Sequence, residues 1–308
     1  MTDKIPVGQT ISGAYNFAFT RFLSILAIVW LPYAVFAVIA VGLALLAVPD
    51  LPRMLMTHDI DIEAMMGLSR VVLLIAVIGF IMSSMITVGL QRQALGKQSA
   101  TVWYYFSLGA PVWRMAAAFF LAGLVVVFIA IVISGACAAI WVTAGSIPGA
   151  VWTVRVVAIA AGVCFLIYIA TRLLFFLPAV VTAEETIGIE RAWILSRGNF
   201  WRIVLVWLAV ILPVAIAFWI VSRAVLGPLV HWPHAHMGTR EILRMFATQS
   251  TAFAPLVLAV EFVERVVILG VANGAVANAY LAVAGAPPVG SAAARWGSEP
   301  GFGSGTGA

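Results

Sequence analysis

The chain has 308 residues, of which 64% are hydrophobic and only 9% are charged. With a mean hydropathy of +1.11, this composition excludes an ordinary soluble domain, in which about 25% of residues are charged. The net charge of +5 comes from basic residues beside apolar runs. We therefore expect anionic lipid headgroups as the counter-charge, and no nucleic-acid partner.

Six apolar runs are each long enough to cross a bilayer. A spanning helix needs roughly 20 mostly apolar residues, because the hydrocarbon core is about 30 Å thick and a helix rises about 1.5 Å per residue. In chain order the predicted spans are Phe22–Ala47, Val71–Leu90, Met115–Thr143, Val156–Leu177, Ile203–Leu226 and Val266–Ala284. We predict an all-α integral membrane domain over residues 1–285, followed by a disordered glycine-rich cytoplasmic tail over 286–308.

The basic residues between the spans predict the orientation. With six spans both termini lie on one side, and nine lysines and arginines fall on that side against six in the other loops. Because cytoplasmic loops carry the excess of basic residues, both termini are predicted to be cytoplasmic. The first run exceeds the roughly 7–15 apolar residues of a cleavable signal, so we expect it to remain as an anchor.

Three segments that precede odd-numbered spans are alike. Tyr105–Met115 and Trp193–Ile203 align without gaps: an aromatic residue comes first, and a tryptophan and an arginine follow at matching positions. Tyr15–Ile25 is a looser copy. We predict three parallel two-span repeats, each beginning with an amphipathic helix at the cytoplasmic interface. The alternative is that any connector at headgroup level accumulates Trp, Tyr and Arg.

The best-defined connector lies before the fifth span. Thr182-Ala-Glu-Glu185 has the capping-box pattern, which predicts that an interfacial helix begins at Thr182. Gly198 is expected to end this helix in a left-handed conformation, and Asn199 to cap the following span. Gly188 falls inside the predicted helix, where alanine should be neutral or stabilising.

The same region resembles a known family. Between Arg172 and Pro213 the chain carries an arginine in a span and then a characteristic set of residues: Pro178, Glu184, Ala192, Ser196, Gly198, Asn199 and Trp201. This pattern resembles the membrane domain attached to some bacterial glycerophosphoryl diester phosphodiesterases, and related stand-alone bacterial membrane proteins of unknown function. The resemblance implies a multi-pass helical fold and a bacterial inner-membrane location. It implies neither hydrolysis nor catalytic residues, because these 308 residues contain no phosphodiesterase domain.

Charged residues inside spans cost at least about 2.5–3.5 kcal/mol at the midplane and by default suggest a function. Arg172 lies shortly before Pro178, where the fourth span should end. We interpret it as an anchor that snorkels to the inner surface or pairs with Glu184 or Glu185. Contact with a substrate or a headgroup is the alternative.

A second charged group precedes the last predicted span. Glu261 and Arg265 have the favourable (i, i+4) order for an ion pair, and Glu264 lies beside them. Counting back about 20 residues from Ala284 places Arg265 at the outer boundary of the membrane. We interpret the group as an interfacial ion pair, and a titratable transport site is the alternative.

No enzymatic signature is found in the chain. It has no glycine-rich loop ending in Lys-Ser/Thr, no two-histidine zinc helix and no nucleophile elbow, and we predict that it is not an enzyme. His231, His234 and His236 have ligand-like spacing for zinc or copper. No cysteine or carboxylate lies within that cluster, so we predict no metal site and no cofactor.

Small residues recur every four positions in the last span, at Gly270, Gly274 and Asn278. This spacing lets helices approach closely in lipid, and we predict a helix that is central to the bundle or forms a self-association face. The expected partners are the bilayer and its anionic headgroups, with a second copy or another membrane protein left open.

Together these features predict a non-enzymatic protein of the bacterial inner membrane with a lipid-related or membrane-organising role. The three cytoplasmic interfacial helices would mediate that role. The alternative is a carrier or channel for a small solute or amphiphile, using Arg172 or the pair of Glu261 and Arg265.

Overall fold

The computed structural model describes residues 4–47, 62–97, 105–144, 151–226 and 239–284. The regular structure within these ranges is α-helical. The helices are α1 Val7–Thr20, α2 Phe22–Ala47, α3 Ile62–Ala94, α4 Ala110–Ala144, α5 Val151–Leu174, α6 Leu177–Glu184, α7 Ile189–Leu195, α8 Phe200–Leu226 and α9 Thr239–Ala284.

Six helical segments are long and apolar enough to cross a membrane, which confirms the predicted all-α multi-pass fold. They are Phe22–Leu43, Val71–Ala94, Ala110–Val142, Trp152–Glu184, Phe200–Ala224 and Leu256–Ala284. Large apolar side chains on these segments are exposed, among them Phe128, Trp152 and Trp219. Because a soluble protein rarely exposes large contiguous apolar patches, this surface is suited to face lipid.

The last span differs most from its prediction. We predicted that it begins at Val266, whereas the apolar segment begins at Leu256 and α9 continues back to Thr239. Glutamate and arginine are good helix formers, and no glycine or proline signals a stop beside Glu261 or Arg265. The helix therefore passes through the charged group without a break.

The connector between the fourth and fifth spans also differs from its prediction. α6 ends at Glu184, and the next residue, Glu185, has φ +56°; α7 begins after Gly188, which has φ +51°. Thr182 therefore lies inside α6 and does not start a helix, because Pro178 occupies the first turn of α6 and begins it earlier. The Thr182 hydroxyl donates back to the Pro178 carbonyl at 2.8 Å. The left-handed conformation predicted for Gly198 is confirmed, with φ +78°, but α7 ends earlier, at Leu195.

The three similar connectors do not share one structure. α1, before the first span, has 14 residues, and α7, before the fifth, has seven. Residues 105–109, directly before α4, are not helical, and residues 98–104 lie outside the described ranges. The interfacial helix predicted for the second unit is therefore missing from residues 105–109. Pro111 near the start of α4 explains why a new helix begins there, since proline favours the first turn.

α9 is the central helix of the bundle. In its most apolar stretch 61% of the residues are buried, whereas the corresponding share is 6–33% in the other five membrane segments. α1 runs antiparallel along its C-terminal half. A Cβ at Gly270 would lie 2.9 Å from Ile25 and 3.4 Å from Ala18, and a Cβ at Gly274 would lie 3.2 Å from the Ala14 backbone. These close approaches need glycine, as small-residue packing in lipid requires.

α1 is amphipathic. It buries Thr10, Ala14 and Ala18 against the bundle, while its opposite face exposes Gln9, Ser12, Asn16 and Thr20. The side chain of Asn278 in α9 lies against Gly13, and its Nδ2 donates to the Gly274 carbonyl at 2.8 Å. The apolar face of this interfacial helix is thus packed on protein.

α1 also supplies a hydrogen-bond donor that α8 lacks. Pro213 has no N–H and leaves the Ala209 carbonyl, one turn earlier, without its helical donor. The Tyr15 hydroxyl donates to the carbonyls of Ala209 and Val210, each at 3.1 Å. Burial raises the pKa of Tyr15 above its ordinary value, so the hydroxyl keeps its proton. Because an unpaired backbone carbonyl is costly in hydrocarbon, this contact ties α1 to the fifth span.

Candidate functional site

Arg172 is the buried charge of α5, with 7% of its surface exposed. Its guanidinium donates to the Ser196 hydroxyl at 3.2 Å, to the Tyr168 hydroxyl at 2.9 Å and to the Trp193 carbonyl at 3.0 Å. The Arg172 Cζ also lies 3.8 Å from the centroid of the Trp193 ring, a distance suited to a cation–π contact. Arg172 thus fastens α7 to the end of the fourth span.

Arg172 does not pair with either carboxylate that the sequence suggested. Glu184 pairs with Arg191 at 3.2 Å, and Glu185 pairs with Arg114 at 3.4 Å. The left-handed turns at residues 185 and 188 bring α7 back to Arg172, while both carboxylates stay at the exposed end of α6. Neutral oxygens accept the hydrogen bonds of the Arg172 guanidinium instead, and the Trp193 ring stacks on it. A carboxylate is not required, because guanidinium N–H groups can donate to any well-oriented acceptor.

The other residues of the family-like pattern lie around this contact between α5 and α7. Ala192 and Ser196 are fully buried, and Asn199 is 2% exposed. The Asn199 Oδ1 accepts the N–H of Ile5 at 3.2 Å, which holds the N-terminal segment at the start of α8. Trp201 is 77% exposed, an orientation typical of a tryptophan at the headgroup level.

An apolar pocket of about 520 Å³ opens between α5 and α8. Ile167, Trp207 and Leu208 line it and are also 41–57% exposed, so the pocket opens onto the apolar outer surface. Pro178 of α6 and Ala272 of α9 belong to its wall. The lining carries no charged residue, and its polar members are Thr87, Thr171 and Asn273.

A buried amide pair borders this pocket. The Asn273 Oδ1 accepts from the Gln91 Nε2 at 3.0 Å, and the Asn273 Nδ2 donates to the Leu269 carbonyl at 2.8 Å. Gln91 is fully buried, and its Oε1 has no hydrogen-bond partner in the part of the chain that the structure describes. Sequence reasoning missed Gln91. Its signal was a single amide directly after the predicted second span.

A polar cavity of about 370 Å³ lies where α3 and α6 end. It is lined by Arg92, Lys97, Tyr105, Thr182 and Glu185. The Lys97 Nζ donates to the carbonyls of residues 182 and 183, at 3.0 and 2.9 Å. Both residues belong to the last turn of α6. Burial raises the pKa of Tyr105, and the positive charge of Arg92 opposes that shift without cancelling it. The Tyr105 hydroxyl therefore stays protonated at neutral pH.

Glu261 and Arg265 line a groove of about 450 Å³ between α9 and the middle of α2. Tyr33 of α2 lines the same groove. It lies 11 residues beyond Phe22, about 16 Å along the helix, which is half the thickness of a hydrocarbon core of about 30 Å. The groove thus faces the middle of α2, and the position of Arg265 at the outer boundary stays a prediction. Both charges lie inside the apolar segment Leu256–Ala284.

The two charges of this groove do not form a closed ion pair. Among the described residues the ion pairs within 4.0 Å join Arg114 to Glu185 and Arg191 to Glu184. Glu261 and Arg265 are both exposed, and Glu264 on the same helix is partly buried. The groove thus presents an acid and a base side by side, each available to a ligand.

The remaining candidate metal ligands are the histidines of one connector and the two cysteines. His231, His234 and His236 lie outside the described residues. Within the described ranges no group of three or more His, Cys, Asp or Glu residues is placed to hold a metal ion. Cys137 and Cys164 are free thiols.

No family model, curated protein or solved structure matches the chain. The resemblance over Arg172–Pro213 therefore stays a prediction. Function has to be inferred from the apolar pocket, the polar cavity and the charged groove.

Proposed function

We propose that this protein is a non-enzymatic lipid-binding protein of the bacterial inner membrane, with both termini in the cytoplasm. In this proposal the apolar pocket between α5 and α8 holds an acyl chain of a bilayer lipid. The observation that carries the proposal is the position of the pocket: its walls are apolar, and Ile167, Trp207 and Leu208 open it toward lipid.

The chemistry of the walls favours a fatty chain over a polar solute. A lipid chain gains little hydrophobic energy on leaving the bilayer, because the bilayer is already apolar. Binding must then come from close van der Waals contact with a preformed wall and from a few polar groups. Thr171 and Asn273 provide such groups beside the apolar wall, where they are suited to an ester carbonyl.

Filling the pocket tests this proposal. Ala170→Phe places a ring in the pocket, whereas Ala161→Phe, on an exposed position of the same helix, adds the same ring outside it. We expect native mass spectrometry to detect co-purified lipid on the wild type and on Ala161→Phe, and to find it lost from Ala170→Phe. Equal lipid retention by the two variants would contradict the proposal.

A carrier for a small solute or amphiphile is the second candidate, and the charged groove favours it. An exposed acid and base beside the middle of α2 are costly in hydrocarbon unless water, a ligand or a partner covers them. In a proton-coupled carrier, Glu261→Gln abolishes pH-dependent solute flux into reconstituted vesicles and leaves the unfolding temperature unchanged. Glu264→Gln, outside the groove lining, is the matched control. If pH-dependent flux persists in Glu261→Gln, a carrier that couples protons through Glu261 is excluded.

A further inference from the structure

The polar cavity is lined by hydrogen-bond donors and by basic side chains. Tyr105 lines the cavity and is 8% exposed. Its hydroxyl makes no hydrogen bond of ordinary geometry in the described part of the chain, while the Arg92 and Ser107 side chains lie close enough to lower its pKa. Two of the three donors of the Lys97 ammonium are occupied by carbonyls, and no acceptor among the described residues takes the third. The Arg92 guanidinium adds a fork of donors that matches phosphate oxygens.

The charge of the cavity is positive. Arg92 and Lys97 contribute one positive charge each, and Glu185 contributes a negative charge that Arg114 offsets at 3.4 Å. The volume of about 370 Å³ equals that of roughly a dozen waters. It therefore exceeds what a bare inorganic anion needs and leaves room for the ester group attached to a phosphate.

The polar cavity and the apolar pocket share two helices. α3 contributes Thr87 to the pocket and Arg92 to the cavity, and α6 contributes Pro178 to the pocket and Thr182 to the cavity. Five and four residues of helix separate these pairs, which is about 7.5 and 6 Å. A phosphate in the cavity would thus lie close to an acyl chain in the pocket.

We propose that the polar cavity binds the phosphate of a phospholipid whose acyl chain occupies the apolar pocket. This inference rests on the proposed lipid-binding function and names its headgroup chemistry. Arg92, Lys97 and the Tyr105 hydroxyl donate to phosphate oxygens, and such charge-assisted bonds are stronger than neutral ones. The ligand class is then a phosphate monoester or diester of a diacyl lipid, in preference to an uncharged diacylglycerol.

The test uses the full chain in zwitterionic nanodiscs doped with isotope-labelled phosphatidic acid or with labelled diacylglycerol of the same chains. Native mass spectrometry of the released protein measures which label it retains. We expect the wild type to prefer phosphatidic acid and Arg92→Gln to lose that preference, a fall of about tenfold or more because each hydrogen bond to a charged group contributes about 1.5–3 kcal/mol. Tyr105→Phe should lose part of it, and Arg92→Lys, which keeps the charge, should retain part of it.

Arg191→Gln is the matched control, because Arg191 lies on the same exposed end of the bundle and pairs with Glu184 outside the cavity. If the wild type and Arg92→Gln retain the two lipids equally, the phosphate site is wrong and the acyl-chain pocket stands. If neither lipid is retained by any variant, the proposed function fails as well. Should Arg92→Gln not fold, Arg92→Lys and Tyr105→Phe decide the outcome by the same preference.

Inorganic phosphate separates a headgroup from a soluble anion. If excess phosphate shifts the unfolding temperature through Arg92 and abolishes the preference for phosphatidic acid, the site takes free phosphate and the lipid assignment is overturned. If the preference for phosphatidic acid persists in excess phosphate, the phospholipid assignment holds.

Discussion

Gly188 shows how one residue sets the path of a connector. Sequence reasoning placed it inside a helix, where alanine should be harmless. In the structure it has φ +51°, and a Cβ there would collide with the Val180 side chain. Left-handed geometry costs an L-residue roughly 1–2 kcal/mol, and the collision adds to that cost. The earlier expectation for alanine at Gly188 is therefore reversed.

We predict that Gly188→Ala lowers the free energy of unfolding in detergent by more than about 2 kcal/mol. Gly198→Ala, with φ +78° but open space around the new Cβ, should cost about 1 kcal/mol. Gly123→Ala, in a helix with no neighbour within 4 Å, should cost nothing. Denaturant titration followed by circular dichroism measures all three. Similar values for Gly188→Ala and Gly123→Ala would contradict the assigned turn.

Arg172 should matter for stability because its three hydrogen bonds and its stacking on Trp193 join α5 to α7. We expect Arg172→Gln to lower the free energy of unfolding by about 3 kcal/mol, the upper range for hydrogen bonds to a charged group. Arg172→Lys keeps the charge but loses the planar fork and the stacking, so its loss should be intermediate. Arg191→Gln, which removes an exposed pair, should cost less than about 1 kcal/mol. An equal loss in the Arg172→Gln and Arg191→Gln variants would refute this role.

At the scale of elements, the bond from Tyr15 to α8 joins an interfacial helix to a span. Tyr15→Phe leaves the Ala209 carbonyl without a donor and should cost about 1–3 kcal/mol. In a Pro213→Ala background the main-chain N–H of residue 213 can donate to that carbonyl, so Tyr15→Phe should cost distinctly less. A double-mutant cycle on unfolding free energies measures this coupling. The same cost in both backgrounds would show that the Tyr15 hydroxyl does not replace the hydrogen bond that Pro213 cannot donate to the Ala209 carbonyl.

α9 is the element for which local pattern was least informative. Its charged group suggested a span boundary, but the helix continues through it, and its C-terminal half becomes the buried centre of the bundle. The spacing of Gly270 and Gly274 did anticipate close packing. That the partner is α1, at the other end of the chain, is visible only in the structure.

At the scale of the whole molecule, the basic residues between spans predict its orientation. Reporter fusions after Lys97 and after Ala308 should report the cytoplasm, and fusions after His58 and His234 the periplasm, because of the nine-to-six bias in arginine and lysine. Paired phosphatase and fluorescent reporters at the same four positions measure this topology. A cytoplasmic signal after His234 would be incompatible with six spans.

The whole-molecule arrangement also brings the two cavities together. α3 and α6 are separated by more than 80 residues of chain, yet each contributes to both the apolar pocket and the polar cavity. Sequence reasoning named Pro178, Thr182 and Glu185 among these lining residues for other reasons. Tyr105 was noticed only as the start of a connector, and Arg92 and Lys97 entered only the count of basic residues, because nothing local shows that the three meet.

Length and hydropathy by themselves determined that this protein is a bundle of six membrane helices. A segment in lipid must satisfy its backbone polar groups internally, so twenty apolar residues leave the helix as the available structure. Local chemistry also sufficed for the left-handed conformation of Gly198, since glycine takes positive φ without strain. Only the tertiary structure decided the partners of Arg172, the groove that Glu261 and Arg265 form with α2, and the left-handed turn at Gly188. These depend on contacts between residues far apart in the chain, and hydrophobic patterns, which are nearly the same on every lipid-facing helix, do not encode them.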